Sequence, residues 1–209
     1  MSKSETKEIL IQKPDIATVA FKIRGNAPLV MNAFPKKIAD QLLEKHMQGS
    51  KAKSKVIREA KVPKECFEAS KHYSTDGWIG IPATAFRSGL VDVCRLTNIK
   101  MTYAKLSLFV EADGYDVIGR VPLVRITKGD PFLCKHVVRV GMNKPDIRIR
   151  SMWDPGWEAV VRIRRFRNQM DEESVANLLM YLGLVGVMEG RAFSKSSTGM
   201  GWGTFDIAD

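Results

Sequence analysis

Cysteine, histidine and acidic side chains are all in short supply in this chain, and each shortage closes off a class of function. The three cysteines, Cys66, Cys94 and Cys134, are odd in number and lack paired spacing, which argues against a disulfide framework and for a reducing compartment. The three histidines, His46, His72 and His136, have no partner four residues away and no HExxH setting. Cys134 with His136 alone does not make a zinc site, so neither a metal nor another cofactor is expected. No GxSxG motif is present and nothing pairs a cysteine with a histidine, which removes the common routes to nucleophilic catalysis. No stretch approaches the ~18 continuous apolar residues of a membrane span, and the opening MSKSETKEILIQKPD lacks the apolar run of a signal peptide. The expectation is a cytoplasmic protein with no membrane partner. Asp and Glu number 23 against 33 Lys and Arg, a formal charge of +10 and a pI near 9.6, which calls for nucleic acid or another acidic partner.

What is present supports a folded domain. A hydrophobic fraction of 44% over 209 residues suffices for a real core. The basic excess is concentrated: residues 36–71 hold ten Lys or Arg and five acids, and residues 135–167 hold nine and three. Within the second segment, DIRIRSMWDPGWEAVVRIRRFR (146–167) alternates Ile147 and Ile149 with Arg148 and Arg150, then Val161 and Ile163 with Arg162 and Arg164. Asp154-Pro155-Gly156 is strong turn chemistry between them, so the stretch reads as a β-hairpin with Trp153 opposite Trp157 and Arg148 opposite Arg162. That register puts all four arginines on one face and both tryptophans on the Ile face, packed inside. Like charges directly opposed cost a few tenths to roughly 1 kcal/mol per pair, so such a face calls for a polyanion.

Along the rest of the chain, residues 1–14 read as a loose tail and 15–209 as a single domain. Residues 16–24 alternate as a half-buried strand with Lys22 and Arg24 outward, and Pro35 opens a helix to about Met47. Residues 46–64 have no core stripe and read as an inserted basic, thumb-like excursion carrying Lys51, Lys53, Lys55 and Arg58. Pro82 begins a helix over 82–95 with Phe86, Leu90 and Val93 on one side. Residues 104–110 alternate as a strand with Lys105 and Phe109 outward, and 112–145 read as a second insertion with a small hairpin near 117–126. Asp171 caps a helix over 171–183, and 202–207 is the last strand. Without insertions the order is βαββαβ, an α+β, ferredoxin-like (RRM-like) core with both helices on one side of an antiparallel sheet. Its open face carries Lys22, Arg24, Lys105, Phe109, Arg162 and Arg164, although no aromatic RNP motif is present.

Residues 183–203 hold six of the sixteen glycines, a loop that brings backbone close to phosphate. The run from Gly190 to Lys195-Ser196 fails as a Walker A motif because Ser194 replaces the second glycine, the spacing is one short and a helix precedes it. Gly199-Met-Gly201-Trp-Gly203 leads into a strand and so fails as a dinucleotide motif.

A first strand running into Gly25-Asn-Ala-Pro28-Leu-Val, then GLVGVMEGR (183–191) and the closing GMGWGTFDI (199–207), resembles the RAMP superfamily of CRISPR-associated proteins. The nearest branch is the Cascade-type backbone subunit that lines up along a guide RNA, or a compact relative from phages or mobile elements. The resemblance implies a ferredoxin-like domain with a late glycine-rich loop, and a homo-oligomeric filament that grips RNA backbone beside other effector subunits and a complementary target strand. It maps the loop onto residues 190–203, with Arg191, Lys195 and Trp202 as contacts. Asn32 stands where cleaving relatives offer an aspartate, which speaks against target cleavage.

The expected function is therefore a non-catalytic, single-stranded nucleic-acid-binding subunit. Arg148, Arg150, Arg162 and Arg164 would neutralise phosphates, while Phe109, Phe193 or Trp202 stack on bases. Two alternatives stand beside it. One is a metal-dependent ribonuclease of the same superfamily using acids such as Asp113, Asp116 and Asp130. The other is a phage or mobile-element structural or regulatory protein that turns its basic face to another acidic macromolecule.

Overall fold

The structure is a computed structural model that describes residues 13–48, 62–140, 144–192 and 199–208. It is mixed α+β, with two antiparallel sheets. The strands are β1 Ile16–Gly25, β2 Leu29–Met31, β3 Gly80–Pro82, β4 Leu108–Val110, β5 Gly114–Tyr115, β6 Pro122–Lys128, β7 Phe132–Val140, β8 Lys144–Trp153, β9 Glu158–Phe166 and β10 Phe205–Ile207. The helices are α1 Lys36–Gln48, α2 Pro63–Ala69, α3 Ala83–Val93, α4 Met101–Ser107 and α5 Glu172–Val185, with a 3-10 turn at Cys94–Leu96. No helix among the described residues is long and apolar enough to cross a membrane.

The main sheet runs β10-β1-β9-β6-β3, with β4 also paired to β9 and β5 to β6. Period-2 alternation places Ile23, Ala159, Val161 and Ile163 on its inner face, all fully buried. Phe86 and Leu90 of α3 and Leu178, Leu179 and Leu182 of α5 belong to the same core, and the Phe205 ring stands edge-on to Phe86 and Trp157 at 6.2 Å. The expected helices over 82–95 and 171–183 correspond to α3 and α5. Asp171 caps α5 as read from the sequence, its Oδ1 accepting the Ser174 N–H at 2.7 Å.

The second sheet is β2-β8-β7, and it corrects the expected arginine hairpin. β8 and β9 do not pair. A strand has two edges, and both edges of β9 are taken: β1 lies along one, from Ile16↔Phe166 to Arg24↔Glu158, while β4 and β6 share the other. The Asp154-Pro155-Gly156 turn is real, with Gly156 at φ +101°, but it turns the chain from one sheet to the next. There the Gly156 N–H donates to the Gly25 carbonyl at 2.7 Å, and Gly25 N–H donates to the Trp157 carbonyl at 2.8 Å. Trp153 and Trp157 are 1% and 0% exposed.

Two further differences matter. Residues 104–107 belong to helix α4, with the expected strand confined to β4 at 108–110, because Ala104 and Ser107 are buried at helical spacing while Leu106 is 73% exposed. The stretch 112–145, read as an insertion, contributes β6 to the main sheet and most of the β7–β8 hairpin to the second. The basic excursion lies largely outside the described residues.

Candidate nucleic-acid interface

On the outer face of the main sheet, the register sets Thr18 and Phe109 on either side of Arg164, Ala20 beside Arg162, Lys22 beside Val160 and Arg24 between Glu158 and Asp206. These positions alternate with the core residues, so sheet parity alone turns them away from the helices. They are exposed or half-buried. Five of the residues chosen from the sequence, Lys22, Arg24, Phe109, Arg162 and Arg164, are thus brought together. Beside Lys22 and Arg24 the face dips into a groove of about 640 Å³, walled by Pro155, Gly156 and Glu158.

This face carries its own counter-charges, which the sequence reading did not place. Glu158 pairs with Lys22 at 3.0 Å and with Lys128 at 3.3 Å. Those two ammonium groups, Lys22 foremost, hold its carboxyl below the ordinary value. Asp113 pairs with Arg162, and Glu111 accepts the Thr18 hydroxyl at 3.0 Å. Arg24 and Arg164 are the exposed arginines of the patch. Two guanidiniums, Arg87 and Arg164, each lie 5.4 Å from the centroid of the Phe109 ring. Arg87 is held by the carbonyls of Leu108 at 3.2 Å and Lys105 at 2.6 Å.

The other expected contacts lie elsewhere. Lys105 is an exposed residue of α4, off the sheet face. Arg148 and Arg150 are on β8, opposite His136 and Cys134. Arg150 is 6% exposed and pairs with Glu189 at 2.8 Å, so its anion is supplied from within the chain. Trp202 stands edge-on to His136 at 5.3 Å and fills the space over Gly190. Arg191 donates to the Met188 carbonyl at 2.6 Å and lines a cavity of about 350 Å³ with Asn32, Thr84, Ser88 and Asp92. Lys51, Lys53, Lys55, Arg58 and Lys195 lie outside the described residues, as does Phe193.

Sequence reasoning missed Trp78 and Arg125. Arg125 shares the outer face of β6 with Leu123, and its guanidinium lies 5.8 Å from the Trp78 ring. The signal was present in the glycine at position 80, two residues after Trp78, but its partner Gly114 is remote in sequence. Among the described residues no three His, Cys, Asp or Glu side chains converge as metal ligands do. No protein-family model matches the chain, and no curated protein matches it.

Proposed function

We propose that this chain is a non-catalytic subunit that binds single-stranded nucleic acid, RNA in the first instance, on the outer face of its main sheet. It repeats along the strand as the backbone of a ribonucleoprotein, in the manner of the CRISPR-associated RAMP proteins it resembles. The observation that carries this reading is the exposed face itself, where Lys22, Arg24, Arg162 and Arg164 share with Phe109, whose ring lies 5.4 Å from Arg164, the outer face of an antiparallel sheet whose helices pack on the opposite side. Supporting it, β10-β1-β9-β4 is the strand order of a ferredoxin-like βαββαβ core, with α3 and α5 as its helices. Asn32 in place of an acid supports a binding rather than a cleaving subunit.

The test is equilibrium binding of labelled oligouridine at low salt, with the particle mass measured by light scattering on the same sample. The wild type binds and forms a large particle on the strand. Arg24→Glu with Arg164→Glu, both exposed, keeps the fold and loses at least about tenfold in affinity, since each change removes one phosphate contact and adds a repulsion. Unchanged affinity in that variant would take the nucleic acid off this face.

A further inference from the structure

Trp78 occupies a seat made for it. A Cβ on Gly80 would stand 2.8 Å from its Cζ3, and one on Gly114 would stand 2.7 Å from its Cζ2, so the indole needs glycine at both places. Gly80 and Gly114 share the outer face of the sheet with Leu123, since Gly80 pairs with Arg125, Gly114 with Leu123 and Pro82 with Leu123. Leu123 is fully buried, although it points away from the core that holds its neighbour Val124. Trp78 is held at its backbone by Ser74, whose N–H donates to the Trp78 carbonyl at 2.8 Å and whose Oγ accepts the Trp78 N–H at 3.2 Å.

The ring is nonetheless half-buried, where Trp153 and Trp157 are shut away completely. Exposed Arg125 stands beside it. Asp113 then joins this pair to the rest of the face: one carboxylate oxygen accepts the Arg125 backbone N–H at 2.7 Å and the other pairs with the Arg162 guanidinium. Phe109 is five residues before Gly114, so its backbone lies within about 18 Å of the glycine against which the Trp78 ring sits. The pattern of Phe109 with Arg164 is repeated as Trp78 with Arg125.

We infer that Trp78, flanked by Arg125, is a second base-stacking station on this face, and that the ligand is consequently a strand with unpaired bases rather than a duplex. The inference rests on the proposed function and deepens it. A duplex offers phosphates but hides the flat faces of its bases, so arginines alone would accept either form, while a pair of aromatic stations selects the single strand.

The experiment titrates the full chain with oligouridine, with an abasic sugar-phosphate oligomer and with a duplex of equal length. Affinity and tryptophan fluorescence are read together for wild type, Trp78→Phe, Trp78→Ala and Arg164→Glu. Oligouridine quenches the wild-type emission, and the abasic strand and the duplex do not. Trp78→Phe loses the quenching and keeps most of the affinity. Trp78→Ala loses about fivefold or more in affinity with an unchanged salt slope, since no charge has been removed. If Trp78→Ala fails to fold, the quenching contrast among the three ligands carries the test by itself. Quenching by all three ligands or by none, or wild-type affinity in folded Trp78→Ala while Arg164→Glu weakens binding, overturns the stacking station and leaves the proposed function standing. Failure of the wild type to bind any of the ligands at low salt overturns both.

Discussion

Single residues show how an arginine-rich sequence comes to terms with its own charge. Arg150 looked like a phosphate ligand in the sequence, yet it is buried and answered by Glu189, which lies 39 positions away. Nothing local in either segment announces that pairing. Glu189→Ala leaves a buried guanidinium without its carboxylate and is expected to cost about 3 kcal/mol, the low end for a broken buried pair because Glu189 itself is partly exposed. Urea denaturation measures it, and replacing Arg150→Met in the same chain should recover part of the loss. Glu158 plays the opposite part, since it restrains the open face by holding Lys22 and Lys128. Glu158→Gln removes the charge that Lys22 and Lys128 share, so oligouridine affinity rises and the log–log salt slope steepens by about 0.7, one added phosphate contact. Its folded pKa is lowered from 4.5, so the ion pairs contribute fully above that value and their contribution disappears as pH falls through the lowered one. A stability difference between wild type and Glu158→Gln near neutral pH should accordingly shrink below about pH 4.5.

Elements were legible where local chemistry decides them and illegible where partners do. Asp171 with Glu172 and Glu173 announced α5, and Pro82 with the Phe86, Leu90 and Val93 stripe announced α3, because capping and helical periodicity are short-range. The alternation of 16–24 and 157–166 identified β1 and β9 for the same reason. Pairing is not short-range. The 146–167 stretch has hairpin residues throughout, and what forbids the hairpin is that β1, β4 and β6 already fill both edges of β9. Residues 104–107 failed differently, although 108–110 form the expected strand as β4: Ala104 and Leu108 fit a strand at spacing four as well as a helix, and only Leu106 distinguishes the two. In a strand Leu106 would share their face. In α4 it is exposed, so Leu106→Ser should change stability by no more than about 0.5 kcal/mol, while Leu108→Ala, emptying a fully buried site, costs about 3 kcal/mol. Thermal melts of the two variants separate the alternatives, and equal losses would restore the strand.

At the scale of the whole molecule, the +10 formal charge overstates what the described surface offers a polyanion. Arg150 and Arg162 are paired to carboxylates within the fold, and Lys22 and Lys128 share Glu158. The candidate face was therefore half legible. Parity along β1 and β9 revealed the basic side chains, while Glu111, Asp113 and the Trp78 indole reach the face from segments outside those two strands. The strand face alone supplies Lys22, Arg24, Arg125 and Arg164 as its accessible cations. At about 0.7 per neutralised phosphate on a single strand, four such contacts give a log–log slope of affinity against salt near −3. Lys51, Lys53, Lys55 and Arg58 carry a comparable charge in a separate segment of the chain. If that segment also meets the strand, the wild-type slope is steeper than −3, and replacing those four residues with alanine brings it back to about −3. Binding isotherms across a salt series for the two proteins decide the matter. A wild-type slope already near −3 and unmoved by the four alanines assigns the electrostatic contact to the sheet face, whereas a slope that collapses toward zero assigns it to the basic segment and removes the sheet from the interface.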